Sequence, residues 1–187
     1  MYIHGFNSSP RAFKGQVIRR WMQHQPYHVY MPDVACSPAE AMRKLIRLTQ
    51  QAQQAGERLR FIGSSLGGFF ATYLCDMFGG QAVLINPAVQ PDKLLPRFLG
   101  RHLNPYTEQY LEVTEAHVAE LKQFEVHSIR QPQNFLVMLK EGDEVLNYQN
   151  AVQKYQQCHL LIDAGGDHSF EDFDQHFDTI TNFLNMT

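Results

Sequence analysis

The chain has 187 residues, 44% hydrophobic, 19% charged and 12% aromatic, a composition that supports one substantial core and excludes a disordered polymer. Its formal net charge of −3 provides no overall basic field for nucleic acid or anionic lipid. No stretch approaches the ~20 apolar residues that cross a bilayer, and the opening MYIHGF has neither the positive nor the apolar region of a signal peptide.

Cys36, Cys75 and Cys158 lack C-x-x-C spacing, so they read as reduced thiols of a cytoplasmic protein, not as a disulfide framework or zinc site. Tyr2-Ile3 reads as the end of a buried strand, followed by a His4-Gly5-Phe6-Asn7 loop. Ser9-Pro10 has the form of a helix start, with Phe13, Val17 and Trp21 as its apolar stripe. Residues 27–31 alternate like a strand, and Ser37-Pro38 begins a second helix that runs to Ala55-Gly56.

A short strand over 59–63 leads into a helix over 66–78, and residues 82–85 form another strand. Strands at 135–139 and 159–162 alternate with helices at 146–157 and 171–184. This rhythm predicts an α/β fold: a three-layer, mostly parallel sheet of about six strands with helices on both faces. It lapses over 88–132, where no strand-like run occurs and two helices are expected, near 91–99 and 107–124. An insertion of about 45 residues is longer than an ordinary connection and reads as a small helical cap on a single domain.

Between the strand at 59–63 and the next helix lies Gly63-Ser64-Ser65-Leu66-Gly67-Gly68. A serine on a sharp strand-to-helix turn needs tiny residues two before and two after it, because those positions nearly touch. Gly63 and Gly67 meet that need for Ser65, whereas Ser64 would have Ile62 and Leu66. Ser65 is therefore the candidate nucleophile. The Leu66 N–H, at the start of the helix, is a candidate oxyanion donor. No lysine follows in the manner of a phosphate-binding loop.

A serine needs a base, and the base needs an orienting acid. His168 follows the last strand, and Asp143 follows the strand before it, both at carboxyl ends where open α/β sheets place their sites. Glu141 and Glu144 are alternatives for the acid, and Asp167 reads as a turn or capping carboxylate. A competing arrangement takes His168, Asp172 and His176 as metal ligands; the acids at a helix start have a simpler explanation in the helix dipole. Phe6 N–H, in the His4-Gly5-Phe6 loop, is the second candidate oxyanion donor, and His4 is expected to be structural. Leu94, Leu95, Phe98, Leu99, Tyr106, Tyr110, Leu111 and Phe124 of the insertion are candidates to line an acyl pocket.

These residues resemble the α/β-hydrolase superfamily and, within it, the YqiA-like esterases (UPF0227). His4-Gly5-Phe6-Asn7-Ser8-Ser9-Pro10-Arg11, Gly63-Ser64-Ser65-Leu66-Gly67-Gly68 and Asn86-Pro87-Ala88-Val89 carry the likeness, with Asn104-Pro105-Tyr106-Thr107, Gly142-Asp143-Glu144 and Gly165-Gly166 before His168. The resemblance implies a compact cytoplasmic serine hydrolase acting on acyl esters, with Ser65, Asp143 and His168 as its triad. It implies no metal or other cofactor. The expected partner is a small-molecule acyl ester or thioester, and the expected assembly a monomer or small homo-oligomer.

Overall fold

Short apolar runs must pair side by side, because a strand buried on both faces can satisfy its backbone only through neighbouring strands. The computed structural model describes residues 1–186. Its elements begin with β1 (Tyr2–Ile3), α1 (Phe13–Met22), α2 (Pro38–Gln54), β2 (Arg60–Ser64), α3 (Leu66–Phe78), β3 (Gln81–Ile85) and α4 (Pro91–Leu94). They continue with β4 (Gly100–Leu103), β5 (Tyr110–Val113), α5 (Glu115–Lys122), β6 (Phe135–Lys140), α6 (Tyr148–Lys154), β7 (His159–Asp163) and α7 (Phe177–Phe183).

Five strands form one parallel sheet in the order β1-β2-β3-β6-β7, in a register that sets Gly63 beside Ile3 and Leu84. Successive side chains leave opposite faces. Leu84, Val137 and Leu139 cluster with Leu45 of α2 and Phe70 and Leu74 of α3. Val83, Ile85, Leu136 and Met138 cluster with Ile18 of α1 and Ile180 of α7. Each such buried side chain contributes about 1.5–3 kcal/mol, so both layers hold the sheet between them. No helix among the described residues is long and apolar enough to cross a membrane.

Several expectations need correction. Residues 27–31 are irregular, and Tyr2 N–H donates to the Tyr30 carbonyl at 2.8 Å. Pro26 and Pro32 bracket the run, and its neighbour β1 has only two residues, so no ladder propagates and the sheet has five strands instead of six. Ser9-Pro10 makes a turn before α1, with Ser9 accepting from Arg11 and Ala12 N–H, and the helix itself starts at Phe13. The Ser37 cap is present, its hydroxyl accepting from Glu40 N–H at 3.2 Å.

The insertion contains a two-stranded antiparallel hairpin, β4 with β5, where no strand was expected. β4 reads GRHL and none of it is buried, so it lacks the apolar alternation that reveals a strand. Local pairing and the Arg101 guanidinium stacked on Tyr110 at 3.7 Å accompany the hairpin instead. The helix expected over 107–124 shrinks to α5, the one expected over 146–157 to α6, and the last begins as a tight turn at Phe173 before α7.

Candidate active site

β2 ends at Ser64 and α3 begins at Leu66, leaving Ser65 at φ 55° and ψ −120° between them. A serine held there costs on the order of 1–3 kcal/mol, which surrounding bonds must offset. Ser65 N–H donates to the Ile85 carbonyl at 3.0 Å, and the Ser65 carbonyl accepts from Gly68 N–H at 2.9 Å and Ala88 N–H at 3.0 Å. A Cβ on Gly63 would run into the Gly67 carbonyl, and one on Gly67 into the carbonyls of Ile3 and His4. Both positions require glycine.

The Ser65 hydroxyl lies 3.1 Å from Nε2 of His168, whose Nδ1 lies 2.7 Å from Oδ2 of Asp143. An ionised carboxylate only accepts, so Nδ1 carries the proton and Nε2 is free to accept from the serine. The buried Asp143 side chain is aimed by its other oxygen, which accepts from Val145 N–H at 2.9 Å and Leu146 N–H at 2.8 Å. Glu144 accepts instead from the His168 backbone N–H at 3.0 Å, a bond that holds its carboxyl below the usual range. Glu141 pairs with the Tyr148 hydroxyl. Of the three candidate acids, Asp143 reaches the imidazole. Asp167 accepts from Phe170 N–H at 2.9 Å, in the turn role expected of it.

The acid and histidine loops abut directly. Gly142 N–H donates to the Gly165 carbonyl at 2.9 Å, and a Cβ on Gly142 would strike the Gly166 carbonyl. Two residues that sequence reasoning missed complete the joint. Asn86 accepts from Lys140 N–H at 2.9 Å and donates to the carbonyls of Asp167 and His168 at 3.1 and 3.3 Å. The Lys140 ammonium, almost wholly buried, binds Asp163 at 2.9 Å and Asp172 at 2.8 Å, 4.4 Å from the centre of the Phe170 ring.

Asp163 precedes His168 and Asp172 follows it, so Lys140 clamps both ends of the histidine loop. Burial opposes the Lys140 charge, but its bonds to Asp172 and Asp163 outweigh that and raise its pKa. The available signals were an Asn-Pro turn after β3 and a lysine ending an otherwise apolar strand. Lys140→Met is expected to lower unfolding stability by about 1–3 kcal/mol, the smaller end reflecting the partial solvation of both aspartates, as read from the urea midpoint.

The alternative metal set is engaged elsewhere: His168 with Asp143, Asp172 with Lys140, and His176 with Asp163 at 3.0 Å. Cys36, Cys75 and Cys158 are free thiols, and burial pushes them up to about 11, about 12 and about 11 respectively.

His4 is buried, and its Nε2 accepts from Val34 N–H at 3.0 Å, so the proton sits on Nδ1 and donates to the Gly5 carbonyl at 2.9 Å. Burial lowers its pKa, so its 3.3 Å approach to Asp33 is not an ion pair. In a trans peptide the Phe6 N–H points opposite the Gly5 carbonyl, which makes His4 the residue that sets its direction. Neither Phe6 N–H nor Leu66 N–H has a protein acceptor among the described residues. The insertion braces the same loop. Phe6 packs on Phe98 and His102 at 5.6 and 5.8 Å, and Asn104 donates to the Ser8 carbonyl at 2.9 Å.

Ser65 and His168 open into a cleft of about 350 Å³ that Tyr106 reaches from the insertion. Leu95 and Leu111 line a separate chamber, and Phe98, Leu99 and Tyr110 are exposed at the surface; of the eight acyl-lining candidates, Tyr106 alone lies at the cleft.

The parallel sheet, with Ser65, Asp143 and His168 in the loops at its carboxyl edge, defines a protein of the α/β-hydrolase fold. Solved structures share it: a putative hydrolase from Agrobacterium vitis S4 superposes with a TM-score of 0.73 at 16% identity, over 98% of this chain and 86% of that one. Est1E from Butyrivibrio proteoclasticus, with ferulic acid bound, superposes at 0.72 and 14% identity, over 98% and 86%. The chain belongs to the uncharacterised protein family UPF0227, whose model matches residues 1–185. A UPF0227 protein of Serratia proteamaculans (strain 568) is 23% identical over 197 residues, spanning 100% of this chain and 98% of the relative.

Proposed function

We propose that this protein is a serine hydrolase that cleaves small carboxylic esters. The observation that carries the reading is the unbroken chain from Asp143 to His168 at 2.7 Å and from His168 to Ser65 at 3.1 Å, opening on a cleft of about 350 Å³. Ser65 Oγ attacks the acyl carbonyl while His168 Nε2 takes its proton, and Asp143 holds the tautomer and stabilises the imidazolium. The Phe6 and Leu66 amides receive the oxyanion, at the start of a helix whose dipole favours negative charge. His168 then gives its proton to the leaving oxygen, the alcohol departs, and an acyl-Ser65 ester remains. Water, deprotonated by the same imidazole, attacks that ester and releases the acid and the free serine. The residues invoked need no metal or organic cofactor.

A fluorophosphonate probe tests the assignment, since it forms a stable bond only with an activated serine. The wild type is expected to label stoichiometrically and Ser65→Ala not at all. An unlabelled wild type, or label retained in Ser65→Ala, overturns the reading. Paired oxygen esters and thioesters of the same acid then decide the leaving atom.

A further inference from the structure

We infer that the alcohol half of the substrate is an uncharged, polyhydroxylated group of the sugar type, esterified by a short acyl group. This rests on the serine-hydrolase reading and extends it to substrate class. The cleft that contains Ser65 and His168 has no Leu, Ile, Val or Met on its wall among the described residues. The aliphatic side chains gather in the second chamber, lined by Leu66, Phe70, Leu95, Leu111 and Val113. That chamber does not include Ser65, and its free volume of about 30 Å³ matches one water molecule. Each methylene buried against apolar wall is worth about fourfold in affinity, and here a growing acyl chain meets no aliphatic side chain beyond Ala12 and the Lys14 stem.

The direction of the alcohol follows from the chemistry. His168 must protonate the leaving oxygen, so the alcohol departs on the histidine side, where Lys14, Ser169 and Glu171 also line the cleft. Lys14 Nζ bonds the Ser169 carbonyl and keeps further N–H donors, while Glu171 presents an exposed carboxylate to the same cleft. Lys14 and Glu171 line this side of the cleft together, one cation and one anion, so its wall has no positive excess to hold a phosphate or carboxylate on the leaving group. Donors and acceptors without net charge complement hydroxyl groups, each of which both gives and takes a hydrogen bond.

Aromatic rings complete the wall. Tyr2, Phe6, Phe13 and Tyr106 line the cleft, and the rims contributed by Phe13 and Tyr106 are 49% and 43% exposed. A flat ring held open beside hydrogen-bonding groups packs against the C–H face of a sugar ring while the polar groups meet its hydroxyls. A fatty alcohol would use the rings but offer no hydroxyls to the remaining Lys14 donors or the Glu171 carboxylate.

The test compares kcat/KM for an acetylated monosaccharide, ethyl acetate and octyl acetate, and for p-nitrophenyl acetate and octanoate. The expected result is at least about tenfold preference for the sugar acetate over octyl acetate, with acetate above octanoate. Phe13→Ala and Tyr106→Ala, separate substitutions at exposed positions, are each expected to lower the sugar-to-ethyl ratio by about fivefold or more. A preference for octyl acetate or the octanoate, or a ratio unmoved in both variants, overturns the inference. Ser65-dependent turnover with that aliphatic preference leaves the hydrolase reading standing. Absence of both ester turnover and phosphonate labelling overturns that reading and the substrate class with it.

Discussion

Ser65→Ala is expected to lower kcat for ester hydrolysis by about 10⁴- to 10⁶-fold, and adding His168→Ala is expected to cost little more. The attacking oxygen is gone in the first variant, and an imidazole 3.1 Å from that position then has no proton to take. Residual turnover above solution comes from what the cleft and the two free amides still do for the carbonyl. Steady-state kinetics on one soluble acetate ester measures all three proteins. Multiplicative losses in the double variant would mean that serine and histidine do not act as a unit. The φ of 55° at Ser65 adds a second readout: the alanine variant keeps that strained dihedral, so its unfolding stability should stay near the wild-type value.

Asp143→Asn is expected to cost about 10⁴-fold in kcat, while Glu144→Gln should cost less than about tenfold. The carboxamide oxygen of the asparagine keeps accepting from Val145 and Leu146 N–H, which turns its NH₂ toward His168. Nδ1 must then accept, the proton moves to Nε2, and the imidazole can no longer take the serine proton. A glutamine at position 144 still accepts from the His168 backbone N–H through its carbonyl oxygen, so the loop stays in place. Equal losses in the two variants would assign the orienting charge to the pair instead of to Asp143.

The elements easiest to read from sequence were those whose pattern reports burial. β2, β3 and β6 are short apolar runs within the sheet, and their carboxyl ends locate Ser65 and Asp143 because any parallel sheet gathers those ends along one edge. Gly63 and Gly67 were legible because backbone crowding leaves one residue type possible. The hairpin was not, since a strand exposed on both faces carries no alternation, and neither was the failed strand at 27–31, whose alternation is real but whose partner is missing.

Asp143, not Glu144, lies 2.7 Å from His168, and the glycine before it has more than a turn to explain it. Gly142 matters less as a turn than as the place where the acid loop presses against Gly165 and Gly166, a contact between segments more than twenty residues apart. The bracing roles of Asn86 and Lys140 are hidden for the same cause. Their partners lie 81 and 82 positions away for Asn86, and 23 and 32 for Lys140, and a single sequence does not record such pairings.

The grip of Phe98 and His102 on the Phe6 ring ties the outer lobe to the peptide that would receive the oxyanion. Under the proposed mechanism, drift in the lobe that adapts it to a new guest would also move that donor. Selectivity and speed would then be inherited together, and a transplanted hairpin would carry its own rate as well as its own taste.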